Sequence, residues 1–345
     1  MPPTVPPVGD VALVQASALL PSLDIAVAVF DQGLSKSDDD RLRVFPTVRK
    51  AESLLLPVAL AEALKNSGAW GVVRVVHSPD VYMPLILEGE ILRADGVQLE
   101  LQIRLRSADG EVLLDKVYRD EASAQDYAAS TGEDAFADIY RAIANDVLLK
   151  TSVLSEQRRQ MLSRLALMRF AADVSPASFE RFLDRAPDGR FELRSFPAGG
   201  DPMLRRLDRI RRQDELFIDT VDQQYLDLRD EVSESYALWR RYSFELERFG
   251  DDYIAGAASR KSSARRGSFA AMQQDYARYR KVKVQEDDLG DLVTGFAGDS
   301  LETILEVDDG VFRLSGSVSE RYGEWRKILA RIYDLETGKL DDASR

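Results

Sequence analysis

One imidazole, that of His77, and no thiol at all are what this chain offers for nucleophilic or metal chemistry. Without cysteine there is no disulfide, no thiolate nucleophile and no thiolate metal site. A single histidine is too few for a histidine-based metal cluster, and a Ser-His-Asp triad would have to run through it. His77 closes a predicted strand and precedes Ser78-Pro79-Asp80. A general base is the chemical reading and a solvent-facing loop residue the structural one. No nucleophile motif flanks it, so the second is preferred.

Carboxylates cluster at Asp38-Asp39-Asp40, Asp251-Asp252, Glu286-Asp287-Asp288 and Asp308-Asp309. Neighbouring carboxylates can do acid–base work or bind calcium, but these lack the alternating oxygen-ligand spacing of a calcium loop. Each is expected in a loop or at an element end, as a solvated turn. Ala198-Gly199-Gly200 has neither a preceding strand nor a following Lys-Ser/Thr, so it does not cradle phosphate. Two basic groups remain. Arg205-Arg206, Arg209 and Arg211-Arg212 suit the polar side of a long helix; Arg260, Lys261, Arg265 and Arg266 suit a loop that grips an acidic partner or simply offsets local acidity. Trp239-Arg240 and Trp325-Arg326 read as core aromatics with snorkelling arginines, with ligand stacking as the alternative. No catalytic, cofactor-binding or metal-ligating residue is assigned. The only assigned site is the partner-binding set Arg260, Lys261, Arg265 and Arg266.

Positioning these groups falls to elements that the pattern of apolar residues predicts. Val11–Ser17 and Ile25–Phe30 read as buried strands, and Gly33–Asp40 as a polar loop. A helix is predicted from about Val48 to Asn66, with Leu54, Val58, Ala61 and Leu64 on one face. Pro57 must kink it or open a fresh first turn, and Ser67-Gly68 stops it. Val72–Val76 is a further buried strand. The strongest β signal follows: Leu99, Leu101, Ile103 and Leu105 alternate with polar residues, between Asp95-Gly96 and Asp109-Gly110. Three antiparallel strands are predicted, about Leu85–Arg93, Val97–Arg106 and Val112–Tyr118. Ser130 or Thr131 is expected to cap a helix carrying Phe136, Ile139, Tyr140, Ile143 and Val147. The predicted order β-β-α-β-β-β-β-α closes a domain near Lys150.

The second half is mostly helical. Helices are predicted over Leu154–Ala172, from Pro176, over Met203 to about Phe249, over Phe269–Leu292 and over Ser319–Leu335. Arg190–Phe196 is β-like, and Ile304–Val307 with Val311–Leu314 forms a hairpin about Asp308-Asp309-Gly310. If the two longest helices pair, Ala255–Ser268 is the loop at their tip. The fold class is therefore an α+β N-terminal domain, with a mixed or antiparallel sheet and two helices, followed by a mostly α-helical half with a long antiparallel helical hairpin and a small β-hairpin. The divisions are residues 1–10, a Pro-rich tether; 11–150, the α/β domain; 151–202, a helical linker region with a short β-like segment; and 203–345, the long-helix domain.

The totals narrow the function. A balance of 46 basic against 59 acidic residues, net −13, opposes binding to nucleic acid or anionic lipid. The longest apolar runs, such as Leu54–Leu60, fall short of the ~20 residues that a spanning helix needs. The start, Met1-Pro-Pro-Thr-Val-Pro-Pro, has no basic n-region or apolar h-region. It reads as a disordered terminus or as a mature terminus whose signal peptide, ending in a lipid-acceptor cysteine, lay upstream.

Ile25–Phe30, the run Leu56-Pro57-Val58-Ala59-Leu60-Ala61-Glu62-Ala63-Leu64, Ser67-Gly68, Val72–Val76 and Leu87-Glu88-Gly89-Glu90-Ile91 together resemble the TolB N-terminal and CsgG-type domains over about Val11–Lys150. The whole chain resembles a family of uncharacterised Gram-negative envelope proteins through Trp70-Gly71, Ile143-Ala144-Asn145-Asp146, Asp201-Pro202-Met203 and Leu314-Ser315-Gly316-Ser317. The resemblance implies a periplasmic or outer-membrane-anchored lipoprotein, although the composition fits a cytoplasmic protein equally well. No β-propeller repeat follows, so TolB's own function does not carry over. The expected function is a non-enzymatic envelope scaffold or assembly protein that binds a protein partner, with no cofactor. The alternative is a small-ligand-binding protein, or a histidine-independent enzyme, using a cleft between the halves.

Overall fold

A computed structural model describes residues 5–16, 22–34, 45–128, 133–259, 280–281, 283–291, 293–294, 303–307 and 310–337. Five strands form its main sheet: β1 (Ile25–Ala28), β2 (Val73–Val76), β3 (Leu85–Ala94), β4 (Gln98–Ser107) and β5 (Val112–Glu121), in the order β2-β1-β3-β4-β5. β1 is parallel to both neighbours, while β3, β4 and β5 are antiparallel. The mixed sheet is the expected one, and the register explains its stability. Leu105 pairs with Leu87 and Leu114, and Leu101 with Ile91 and Tyr118, so apolar rows cross three strands on one face. Leu99, Leu101, Ile103 and Leu105 are fully buried, as their alternation requires.

Helix α1 (Pro46–Asn66) carries Pro57 in its interior. Proline has no N–H, which leaves the Ser53 carbonyl without its helical donor. Phe30, just beyond β1, donates its backbone N–H to that carbonyl at 2.9 Å. The proline thus turns a helix defect into the bond that seats α1 on the sheet. Ser67 ends α1, and Gly68 follows with φ +66°. The short α2 (Ala124–Ala128) leads to α3 (Ala137–Ser152), α4 (Glu156–Val174) and α5 (Pro176–Phe179). A small ribbon, β6 (Leu183–Arg185) with β7 (Phe191–Leu193), precedes α6 (Pro202–Ser259). The hairpin of β8 (Thr303–Val307) and β9 (Gly310–Leu314) precedes α7 (Val318–Glu336), whose start is closed by a capping box of Ser317 and Glu320.

One apolar core runs from Leu23 to Tyr333 and joins the sheet, α1, α3, α4, α6 and α7. A smaller cluster gathers Val48, Leu55, Val232, Tyr236 and Trp239 with Leu289 and Val293 from the helical residues after 280. Lys281 lies over the Tyr242 ring at 5.2 Å, so this second helical segment packs along α6.

Several expectations change. Residues 11–16 form no strand: Val11 N donates to Asp138 Oδ1 (2.9 Å) and Val14 N to Asn145 Oδ1 (2.8 Å) on α3, and Ala16 N to the Ser67 carbonyl (3.0 Å) at the end of α1. These partners take backbone donors that a sheet neighbour would otherwise have to satisfy. The domain therefore opens β-α rather than β-β-α. α3 begins at Ala137 after Phe136, and Asp134 Oδ1 accepts from Phe136 N (2.9 Å); the expected caps Ser130 and Thr131 lie outside the described residues. α6 continues through Ser259, so residues 255–259 are helix rather than tip loop. The rest of the tip, with Arg260, Lys261, Arg265 and Arg266, lies outside the described residues.

Candidate functional site

Three contacts set α1 against α6. Lys65 pairs with Asp222 (3.4 Å), Arg229 with Glu62 (2.8 Å), and the Tyr236 hydroxyl donates to Glu52 Oε1 (2.9 Å). Positions fall along α1 as they rise along α6, so the helices run antiparallel. Between the outer contacts lie thirteen steps of α1 and fourteen of α6, nearly equal rises that keep the axes side by side. α3 and the segment before it close the third side through Tyr140 and Asp134. The enclosed cleft has a volume of about 680 Å³ and includes Leu55, Leu56, Ala59 and Leu238 in its apolar wall.

The floor is polar and almost dry. Arg240 is 3% exposed; its Nη1 donates to Asp134 Oδ1 at 2.9 Å, and its guanidinium lies 4.6 Å from the ring centres of both Phe136 and Tyr236. Burial alone would lower its pKa, but Tyr236, Asp134, Tyr140 and Glu52 hold it well above the ordinary value, so it is charged. The buried Tyr140 hydroxyl beside it hydrogen-bonds this guanidinium. Beyond that mutual contact, neither Nε and Nη2 of Arg240 nor the phenol proton finds an acceptor of good geometry among the described residues. Buried donors left short of acceptors call for an explanation.

Glu52 stands behind the floor, 1% exposed, with Arg49 at 3.3 Å. Burial lifts its carboxyl to about 7, against the opposing pull of Arg240, Arg49 and the Tyr236 hydrogen bond. Below neutral pH it is largely protonated, which removes one negative charge from behind Arg240 and Arg49 while Asp134 and Asp95 remain nearby.

Elsewhere, His77 is half-buried against Tyr322, ring centres 4.8 Å apart, rather than solvent-facing. Burial lowers its pKa to about 4, with Arg326 and Arg321 acting in the same direction against Asp80, so it is neutral at pH 7 and poorly suited as a general base. Glu286, Asp287 and Asp288 are helical, with Glu286 buried and bonded to Lys283 (2.7 Å), and Asp251-Asp252 lies within α6; neither group is a turn. Asp38-Asp39-Asp40 and Asp308-Asp309 lie outside the described residues. Arg211, expected on the polar side of its helix, turns inward to Asp214 (3.0 Å), the Tyr82 carbonyl (2.8 Å) and the Phe170 ring. Arg240 is buried where a snorkelling side chain was expected. Arg326 pairs with Asp173 and donates to the Tyr82 hydroxyl (2.7 Å). A second cleft, of about 500 Å³, lies between α4 and the β6–β7 ribbon, where Arg169 and Arg185 approach the Phe191 ring at 4.2 and 4.1 Å. Among the described residues no group of three or more His, Asp or Glu could hold a metal ion, and no helix is long and apolar enough to cross a membrane.

The sequence pattern assigns no site role to Glu52 or Tyr140. For Glu52 a signal was present: a carboxylate four residues after Val48 and four before Leu56, on the apolar face of a helix. No protein-family model, no curated protein and no solved structure matches the chain.

Proposed function

We propose that this is a small-ligand-binding protein whose site is the cleft between α1, α3 and α6, and that the ligand presents a hydrogen-bond-accepting anion, a carboxylate or its equivalent, to Arg240 and Tyr140. The observation that carries the reading is the buried pair at the floor, Arg240 and Tyr140, whose Nε, Nη2 and phenol proton lack acceptors beyond their contact with each other among the described residues. A charge-assisted bond from a guanidinium to a carboxylate is among the stronger polar contacts a protein makes. Protonation of Glu52 strengthens the attraction by removing a negative charge from behind the floor. Binding is favoured over catalysis because Glu52, whose carboxyl burial lifts to about 7, stands behind the floor and does not line the cleft. Calorimetric titration with hexanoate at pH 6 tests this. Tyr140→Phe should weaken binding about fivefold without altering the melting temperature. Binding that ignores this substitution would place the anion elsewhere.

A second reading keeps the envelope scaffold, lipid-anchored and periplasmic or at the outer membrane, that the TolB/CsgG-type resemblance implies. One structural observation supports it: α6, at 58 residues and roughly 87 Å, is about three times as long as a small domain is wide, a length suited to a partner surface. Changing Arg260, Lys261, Arg265 and Arg266 to Ser should then slow association with a partner captured from a bacterial envelope and flatten its salt dependence. An unchanged rate at low salt would remove the basic run from that surface.

A further inference from the structure

We infer, resting on the cleft reading above, that the ligand is dipolar: a carboxylate seated on Arg240 and Tyr140, an apolar body along Leu55, Leu56 and Ala59, and an ammonium group held by Asp126 and Glu234 at the rim. The cleft is lined by six carboxylates, on Glu62, Asp126, Glu133, Asp134, Asp230 and Glu234, against three guanidiniums and no lysine. Most of these charges are already matched. Arg240 takes Asp134, Arg229 takes Glu62 and Asp230, and Glu133 pairs with Arg141. Arg241 turns to Glu245, at 3.4 Å. Two carboxylates remain with no cation within ion-pair distance among the described residues, Asp126 and Glu234, and both are exposed at the mouth. Among the described residues Asp126 accepts only from Ser123 N, at 2.6 Å.

An acidic mouth alone would describe any solvated rim. Here the same cleft is also lined by Arg240 and Tyr140, side chains 97% buried whose donors exceed the acceptors that Asp134 and their mutual contact supply, so its two ends ask for opposite charges. Leu55, Leu56 and Ala59 in the same lining favour a ligand with a hydrocarbon body over a simple ion. Glu234 and Arg240 are six residues apart on α6, roughly 9 Å along its axis and about 120° around it, so they line one cleft at different depths, on the scale of a short ω-amino acid. A cation at the rim also lessens the repulsion that an approaching carboxylate meets there, so both ends of the ligand gain from the dipole.

Matched probes test the assignment: 6-aminohexanoate, hexanoate and hexylamine, titrated calorimetrically into the full chain at pH 6.5 and low salt. The zwitterion should bind at least tenfold tighter than either single-charge probe. The rim double variant Asp126→Asn/Glu234→Gln should bring 6-aminohexanoate down to the level of hexanoate while leaving hexanoate no weaker. Tyr140→Phe should weaken both. Hexanoate or hexylamine binding as tightly as 6-aminohexanoate overturns the dipolar assignment, as does indifference of the zwitterion to the rim variant. If hexanoate binding still falls with Tyr140→Phe, the cleft reading survives that failure. If none of the three binds, or none responds to Tyr140→Phe, the cleft reading falls and the dipolar assignment with it.

Discussion

Replacing Glu52 by Gln removes one titrating proton from the interior and little else. The amide has nearly the same shape and keeps an oxygen to accept from the Tyr236 hydroxyl. Burial holds the Glu52 carboxyl at about 7 in the folded chain, against 4.5 for the free side chain. The folded state thus binds this proton more tightly than the unfolded one, and stability must fall as pH rises between the two values. Below 4.5 the contribution is whole; above 7 it is gone. The difference is worth about 3 kcal/mol across the window. Asp214 and Asp120, each lifted by burial to about 6, act in the same direction but are present in both proteins and cancel in the comparison. Urea unfolding, followed by tryptophan fluorescence at pH 5, 6, 7 and 8, should show Glu52→Gln near parity with the unaltered chain at the acid end and ahead by about 3 kcal/mol at pH 8. Two parallel stability curves would mean that Glu52 ionises normally in contact with water, and the dry floor described for the cleft would be refuted.

The lone imidazole gives a clean second measurement: His77 should show no NMR titration between pH 5.5 and 8, with its midpoint near 4, and an ordinary midpoint near 6.5 would mean that the ring is not packed on Tyr322. Leu101→Asp places an unpaired carboxylate at a fully buried position between Ile91 and Tyr118 and should cost upwards of about 4 kcal/mol; near-unchanged melting would disprove the register of β4. Gly96→Ala would drive a Cβ into the Phe244 backbone nitrogen and the Arg240 carbonyl, so the β3–β4 turn must retreat from α6 at a cost of about 1–3 kcal/mol. An unaffected denaturation midpoint for that variant would show that the turn does not touch α6.

What the sequence showed well was local. The alternation along β4 is a property of ten consecutive residues, and both flanking turns are built by their own aspartates: Asp95 Oδ1 accepts from Val97 N and Gln98 N at 2.7 Å, and Asp109 Oδ1 accepts from the Ser107 hydroxyl at 2.6 Å. The α7 helix carries its capping box in its own first residues. What stayed hidden needed distant partners. Residues 11–16 have the composition of a strand, yet their backbone is claimed by Asp138 and Asn145, more than a hundred residues away. Arg240 looks like any arginine beside a core tryptophan until Asp134, 106 positions upstream, and Phe136 close over it. Glu52 was legible in part: its place on an apolar face could be seen, but not the arginine and phenol that make the place tolerable.

The matched contacts between α1 and α6 carry an evolutionary consequence. Asp222, Arg229, Tyr236 and Arg240 meet fixed partners on the other elements, so the azimuth of each is set by the count of residues between them. One inserted or deleted residue within that stretch would turn everything after it by about 100° and swing Tyr236 and Arg240 away from Glu52 and Asp134. Changes of three or four residues would nearly restore the phase, but would move the floor about 5 Å along the helix. Such a helix tolerates exchange of its exposed residues far better than any change in its length. The cleft can be retuned by substitution, whereas resizing it requires a whole turn, and a matching turn in α1, to arrive together.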